Sequence, residues 1–450
     1  MTIEEAGRQL RTRGISSVEL TEQCLRTISR LNPVLNAFLT VTAELALRQA
    51  KAADEAFARG EDRGPLQGIP FAAKDIFDTA GVRTTYGSRI FAEHVPASDA
   101  ELIRILGDSG AVLVGKVGLH EFAYGITSAN PHFGAVRNPW DPERIPGGSS
   151  GGSGAAVAAG MALMALGTDT GGSIRIPSSF CGVCGLKPTF GRLSTAGCRP
   201  LSASLDHMGP MAASVEDLAL SMAALDGRAP APERRSLAGL RFGVPENYFF
   251  DHAQPEVREG VLRMARVAAD LGASVEEVRV TGAEELTEIA FRIILPEAAD
   301  SVADLWDRRG EFGEDVRARF EQGRNQDPLL YLRAQQQRVA AAREFLRVFE
   351  RCDVLLAPST PTAAPRIGQT TLNEGGREVD LRVATTRPSR PINLLGIPSL
   401  ALPCGFAGGL PLGAQLLAAA GQDGRLLAAG RLLEKALGPR RHPPEHPAAN

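Results

Sequence analysis

Two serine-bearing loops hold the side chains best suited to chemistry in this sequence. The first reads Pro146-Gly-Gly-Ser149-Ser150-Gly-Gly-Ser153-Gly, the second Gly167-Thr-Asp169-Thr170-Gly171-Gly172-Ser173-Ile-Arg175, and an Ala- and Gly-rich apolar run, Ala155 to Ala165, lies between them. Glycine at this density marks backbone that must approach another group closely or adopt conformations a side chain forbids. A serine hydroxyl attacks a carbonyl only when a base removes its proton, and the oxyanion that forms needs donors such as backbone N–H groups. These loops therefore read as the nucleophile and anion hole of a hydrolase. The base is read as lying upstream, where Gly64-Pro-Leu-Gln-Gly-Ile-Pro-Phe-Ala-Ala-Lys74-Asp75 is a short apolar run that ends in a lysine.

Other motifs compete with this reading. Gly110-Ala-Val-Leu-Val-Gly115-Lys116-Val117 has phosphate-loop spacing, but Val117 stands where Ser or Thr would bind magnesium, and its middle positions suit a strand. Cys181-Gly-Val-Cys184 has zinc or redox spacing without a second pair, and His120-Glu121 lacks the second histidine of a zinc protease motif, so no metal and no cofactor is expected. Gly-x-Ser-x-Gly occurs twice, centred on Ser149 and Ser150, which would suit an α/β-hydrolase esterase with a Ser-His-Asp triad and His207 or His252 as base. That elbow needs a preceding strand, and Arg137-Asn-Pro-Trp-Asp-Pro-Glu-Arg-Ile-Pro is none. A flexible Gly/Ser linker would not continue into an apolar stretch and a second glycine pair.

The elements that must position the loops alternate helix and apolar strand, the rhythm of an α/β sheet. Residues 1–60 read as helices, with a Ser16/Glu19 capping box and an Ala-, Leu- and Lys-rich stretch from Thr42 to Arg59. Ser98 with Glu101 predicts another cap, and Ala111 to Val117 a buried strand. After the loops, Ser214 to Leu225 and Pro255 to Leu271 read as helices, Arg241 to Pro245 as a strand, and Ala229 to Arg235 as a Pro-rich connector. Glu284 to Glu350 is a charged helical insertion carrying Phe291, Trp306, Phe312, Phe320 and Tyr331, which either wall a substrate pocket or pack as core. The segments at Asp353 and Ser399 read as strands, Gln422 to Leu437 as a last helix, and Pro443 to Asn450 as a disordered tail. The chain is read as one domain: N-terminal helices (1–60), a core bearing the motifs (61–228), the insertion (284–350) and the tail (443–450).

Composition is that of a globular protein: 450 residues, 44% hydrophobic, 22% charged, net charge −3. This gives no basic footprint for nucleic acid or an anionic membrane. No uncharged apolar run is long enough to span a bilayer, and six sparse cysteines imply reduced thiols, so a cytoplasmic protein, monomer or homodimer, is expected.

Three motifs in order, Gly68-Ile-Pro-x-x-x-Lys74-Asp75, Pro146 to Ser153, and Gly167 to Arg175-x-Pro, closely resemble the amidase signature family; Ser149 and Ser173 also stand at that family's spacing of 24. The likeness runs from about Gly64 to Leu225 and returns in Asn393-Leu-Leu-Gly-Ile-Pro-Ser. It implies a large mixed twisted sheet covered by helices on both faces and a Ser-(cis)Ser-Lys catalytic unit. Ser173 would be the nucleophile that forms an acyl-enzyme, Ser149 the relay whose preceding peptide bond is cis, and Lys74 the base. Backbone N–H groups of Thr170, Gly171, Gly172 and Ser173 would form the oxyanion hole, Ser150 would support Lys74, Asp169 and Arg175 would brace the loops, and backbone near Ala123 would contact substrate. Lys74 must be neutral to act, and lowering a lysine from about 10.4 to roughly 7 to 8 requires about 3 to 5 kcal/mol from burial and neighbours. Asp75 should point away from it, because successive strand residues face opposite sides.

Within the family, a stand-alone amidase is the first expectation, with ester or carbamate (urethane) hydrolysis open to the same acyl chemistry. A glutamine-hydrolysing A subunit of a tRNA-dependent amidotransferase is the second. Those subunits usually carry an Asp shortly before the Asn-Leu-x-Gly-x-Pro stretch to hold the glutamine amine, whereas Thr385-Thr-Arg-Pro-Ser-Arg390 has no acid. The expected partner is a small-molecule amide, ester or carbamate.

Overall fold

The computed structural model describes residues 1–228, 233–374 and 376–446. Eleven strands form one mixed sheet. From one edge the order is Phe38–Val41, Val112–Val117, Pro70–Lys74, Met164–Asp169, His207–Ala212, Cys184–Lys187, Ser399–Ala407, Leu410–Leu417, Val354–Pro358, Arg241–Pro245 and Ser274–Val278. Pro70–Lys74 runs parallel to both of its neighbours, and Met164–Asp169 is antiparallel to His207–Ala212. Strands from both sides of the 229–235 connector join this sheet, so the connector, whose residues 229–232 lie outside the described ones, links parts of one layer.

Pro70–Lys74, Val112–Val117 and Met164–Asp169 are buried at every position. Continuous apolar runs of this kind belong to strands covered on both faces. Helices Ala43–Ala58, Gly151–Ala158, Val215–Asp226, Pro255–Asp270 and Asp423–Leu437 pack against the sheet. The phosphate-loop look-alike is the Val112–Val117 strand, as its residue types require.

Capping follows the local sequence at several helix starts. Ser16 accepts from the Glu19 N–H while the Glu19 carboxylate accepts from the Ser16 N–H, and Ser214 caps Val215–Asp226 through the Asp217 N–H. Ser98 is a correction. The helix Glu101–Asp108 has Ala100 at its cap and no side-chain capping bond, so Ser98 lies too far upstream to reach its free N–H groups. Within residues 1–60 the strand Phe38–Val41 also interrupts the expected helices.

The insertion folds as helices Ala283–Asp300, Glu314–Arg324 and Pro328–Leu346, with the first packed on the other two and on the short helix Arg390–Leu395. Its aromatics divide between the two expected roles. Phe312 and Phe320 meet Phe122 edge-on as buried core, whereas the Phe291 ring lies under the Arg390 guanidinium at 3.6 Å. In the tail, residues 443–446 form no helix or strand, yet His446 Nε2 donates to the Pro139 carbonyl at 2.6 Å; residues 447–450 lie outside the described ones.

Candidate active site

The end of the Pro70–Lys74 strand meets both serine loops. Register pairs Ala73 with Leu166, so Lys74 emerges beside the last residues of Met164–Asp169. There its Nζ donates to Ser149 Oγ at 2.7 Å and to Thr168 Oγ1 at 2.6 Å, and all three side chains are buried. Burial pulls the lysine pKa down from 10.5 to about 7, against the opposing pull of Asp206 and then Asp169. Desolvation thus makes a neutral amine available near neutral pH. Asp75 faces the other side of the strand, where it accepts from the Thr85 N–H and hydroxyl and lies 3.3 Å from Lys116 Nζ.

The first loop turns into a helix sooner than its composition suggests: Gly151 to Gly154 form the first turn of Gly151–Ala158. Glycine is required there by proximity, since a Cβ on Gly152 would stand 2.5 Å from the Gly118 backbone. The same holds at Gly148, where a Cβ would fall 2.8 Å from the Ile126 carbonyl carbon. The Gly148–Ser149 peptide bond is cis. The Ser149 carbonyl accepts from the His120 N–H at 3.3 Å, and the Ser150 N–H donates to the Ser173 carbonyl at 3.2 Å, tying the two loops together.

Asp169 and Arg175 meet inside the second loop. The guanidinium donates to both carboxylate oxygens, Nη2 to Oδ1 at 2.9 Å and Nε to Oδ2 at 3.0 Å, with both side chains fully buried. Burial, the largest single influence, would raise the Asp169 pKa, but the Arg175 charge and hydrogen bonds, with Lys187 and Asn393, together outweigh it and hold the carboxyl well below the usual range. Asp169 therefore remains an anion that organises the loop, accepting also from the Gly172 and Ile174 N–H groups at 2.8 and 3.1 Å.

Two expectations change at this point. Ser150 does not reach Lys74: its hydroxyl donates to the Thr168 carbonyl at 3.1 Å and accepts from the Thr168 N–H at 3.2 Å. It fixes Thr168, which in turn binds the lysine. The Gly172 N–H, expected in the oxyanion hole, is already bound to Asp169 Oδ1. Ser173, 7% exposed, and the half-buried Gly171 face the open side of the loop. Ala123 lies in the turn His120–Tyr124, whose residues Phe122 and Ala123 have φ of 49° and 59°, and which leads into the Ile126–Ser128 backbone packed on Gly148.

Several residues at the site are given no role by the sequence motifs, even where, like Thr168 and Asn393, they lie within them. Thr168 is one; finding it requires the strand register. Asp206 is another: its buried carboxylate, pushed up by desolvation, accepts from the Thr170 hydroxyl and from the Leu201 and Ser202 N–H groups. Asn393 donates to the Asp169 carbonyl and Oδ1 at 2.7 and 2.8 Å and accepts from Arg175 Nη2 at 2.6 Å. Ser389 donates to the Gly171 carbonyl at 2.6 Å. Asn393 opens the stretch in which the family likeness returns, and that likeness gives its side chain no role.

The rival groups lie elsewhere or are otherwise engaged. His207 is buried with Nδ1 against the Leu205 carbonyl at 2.7 Å, and burial, then the Lys187 charge, hold its pKa well below 6.5. His252 lies in the turn before Pro255–Asp270. Cys181 and Cys184 are buried free thiols, both pushed up by desolvation, and the Cys184 thiol donates to Glu434 at 3.4 Å. Among the described residues no group of His, Cys, Asp and Glu is placed to hold a metal ion, and no helix is long and apolar enough to cross a membrane.

Comparison with known proteins agrees with this architecture. The family model described as Amidase matches residues 19–427. The A subunit of the Moorella thermoacetica glutamyl-tRNA(Gln) amidotransferase is 39% identical over 99% of this chain and 98% of its own length. Among solved structures, a chain from a vestigial protein complex related to the origins of an s-triazine catabolic enzyme superposes with a TM-score of 0.92 at 40% identity, covering 97% of this chain and 98% of that one. The corresponding A subunit from Thermotoga maritima gives 0.80 at 32% identity, covering 99% and 98%. The chain belongs to the amidase signature family, with its mixed eleven-stranded sheet flanked by helices.

Proposed function

We propose that the chain hydrolyses the C–N bond of a carboxamide through an acyl-enzyme on Ser173. The observation that carries this reading is the 2.7 Å hydrogen bond between two fully buried side chains, Lys74 Nζ and Ser149 Oγ, with the lysine pKa lowered to about 7. Neutral Lys74 takes the Ser149 proton as Ser149 takes that of Ser173. Ser173 Oγ then bonds to the carbonyl carbon, and the oxyanion is met by N–H groups of the second loop. With the Gly172 N–H engaged by Asp169, Thr170, Gly171 and Ser173 are the donors left to this role. As the C–N bond breaks, Ser149 delivers a proton to the departing nitrogen, a poor leaving group unless protonated. Water then enters by the same relay, releases the acid and restores Ser173. Ser150 acts through Thr168, and Asp169 with Arg175 holds the loop, while Ala123 stands as the proposed backbone contact to substrate.

The relatives reverse the order in which substrates were expected. A chain similar over nearly its whole length to glutamyl-tRNA(Gln) amidotransferase A subunits supports ammonia release from a primary amide within an assembly ahead of a stand-alone amidase. One observation keeps the stand-alone reading: the 385–390 segment brings Arg390, and no acid, to the site. Ester and carbamate cleavage remains a capacity of the same acyl chemistry. Ammonia release from glutamine, measured with and without candidate partner proteins and with Ser173→Ala as blank, separates the two. Release only in a complex supports the amidotransferase role, and release from other amides by the isolated chain supports the amidase.

A further inference from the structure

Resting on the amide-hydrolase reading, we propose that Arg390 and Tyr124 bind a carboxylate on the substrate, so that this enzyme selects amides that carry a free carboxyl group. Arg390 is only 5% exposed, yet its Nε and Nη1 have no hydrogen-bond partner. Tyr124, also 5% exposed, has an equally unpartnered Oη. Buried donors without acceptors are rare in folded proteins, because each forfeits its bonds to water. A buried guanidinium with two unpartnered N–H groups describes a place where an anion belongs.

The corner adjoins the reacting centre. A Cβ on Gly171, one of the proposed oxyanion-hole residues, would find Arg390 Nε at 4.0 Å and nothing nearer, so the open side of the loop is walled by this guanidinium. The next residue back, Ser389, fixes the Gly171 carbonyl. Phe291 covers the guanidinium face at 3.6 Å, which leaves its N–H edge to bind in plane, the geometry that suits a carboxylate.

Asp380 acts on both Arg382 and Arg390 at a distance but pairs with neither. Arg382 also stacks on Phe291, at 5.8 Å, and among the described residues neither Arg382 nor Arg390 forms an ion pair with a carboxylate. Nearby Arg319 is matched by Asp315 at 2.8 Å, and Asp380 caps the helix Leu381–Thr386 through the Val383 N–H. Burial, then the Arg382 charge, lower the Arg390 pKa from 12.5 to about 9, which leaves it charged at neutral pH and in want of a counter-ion. A substrate carboxylate would meet that want, whereas an ammonium would be repelled by the arginines.

The test uses the monoamides of malonic, succinic and glutaric acids, each against its methyl ester, with ammonia release as the readout. The expected result is that the best acid exceeds its ester in kcat/KM by about 10- to 100-fold, the range for a charge-assisted hydrogen bond. Arg390→Met should abolish that ratio through KM, Arg390→Lys should restore part of it, and Tyr124→Phe, which removes only a hydroxyl, should lower it. Equal acid and ester rates in the wild type, or an unchanged ratio in Arg390→Met and Tyr124→Phe, would overturn the proposal. Calorimetric titration of Ser173→Ala with the same monoamides separates this claim from the catalytic one. Binding of the acids that Arg390→Met removes supports the carboxylate site even if no amide is hydrolysed; failure of every acid to bind refutes it.

Discussion

The pH dependence of hydrolysis follows directly from the Lys74 environment. An exposed lysine at 10.5 would be neutral in about one molecule in a thousand near neutral pH, whereas one lowered to about 7 is neutral in more than half. Burial thus raises the supply of neutral amine about a thousandfold, and the shift corresponds to about 5 kcal/mol at 1.36 kcal/mol per pH unit. Because only the neutral amine can accept a proton, kcat/KM should rise about tenfold per pH unit below about 7 and level off above it. The assay is initial ammonia release across about pH 5 to 9, with Lys74→Met expected to remove the rise together with most of the rate. A base at His207, held well below 6.5 by burial and then the Lys187 charge, would already be neutral near neutral pH and give no inflection there. A flat profile, or a Lys74→Met enzyme that keeps the inflection, would refute the reasoning.

Thr168→Val removes one acceptor from the charged form of Lys74, so the inflection should move to lower pH and kcat should fall roughly tenfold; an unmoved inflection would deny Thr168 its role. Ser149→Ala should slow amides far more than activated esters, whose leaving groups need no proton, as comparison of an anilide with a nitrophenyl ester would reveal. Arg175→Met strands the buried Asp169 anion, and thermal denaturation should register a loss of about 3 to 5 kcal/mol. Gly152→Ala places a methyl group against the Gly118 backbone and should reduce soluble folded protein, measured by circular dichroism of the purified fraction.

What is legible in the sequence is what residue type and spacing determine by themselves. The likeness to the amidase signature family makes Lys74 a base that must be neutral, its apolar neighbours suit burial, and the structure lowers its pKa to about 7 by desolvation. Paired glycines imply close backbone approach, as Gly148 and Gly152 display. Contacts that depend on strand register or loop path are hidden. The family likeness gives Ser150 a role in supporting Lys74, but the route is hidden: its hydroxyl bonds the Thr168 backbone, and Thr168 binds the lysine. Gly172 reads as a free donor, yet Asp169 folds back onto its N–H. The segment Thr385 to Arg390 stands out in the sequence for the acid it lacks; that its arginine is buried without a partner beside Gly171 follows from packing against Phe291, more than ninety residues away in sequence.

Covalent capture of the nucleophile tests the central claim most directly. A fluorophosphonate, which reacts with activated serine hydroxyls, should form one adduct per chain, located on Ser173 by peptide mass spectrometry, with activity lost in step. Lys74→Met should label far more slowly, because the base that activates the relay is gone. Labelling at another serine, or a Ser173→Ala enzyme that still hydrolyses amides, would contradict the account.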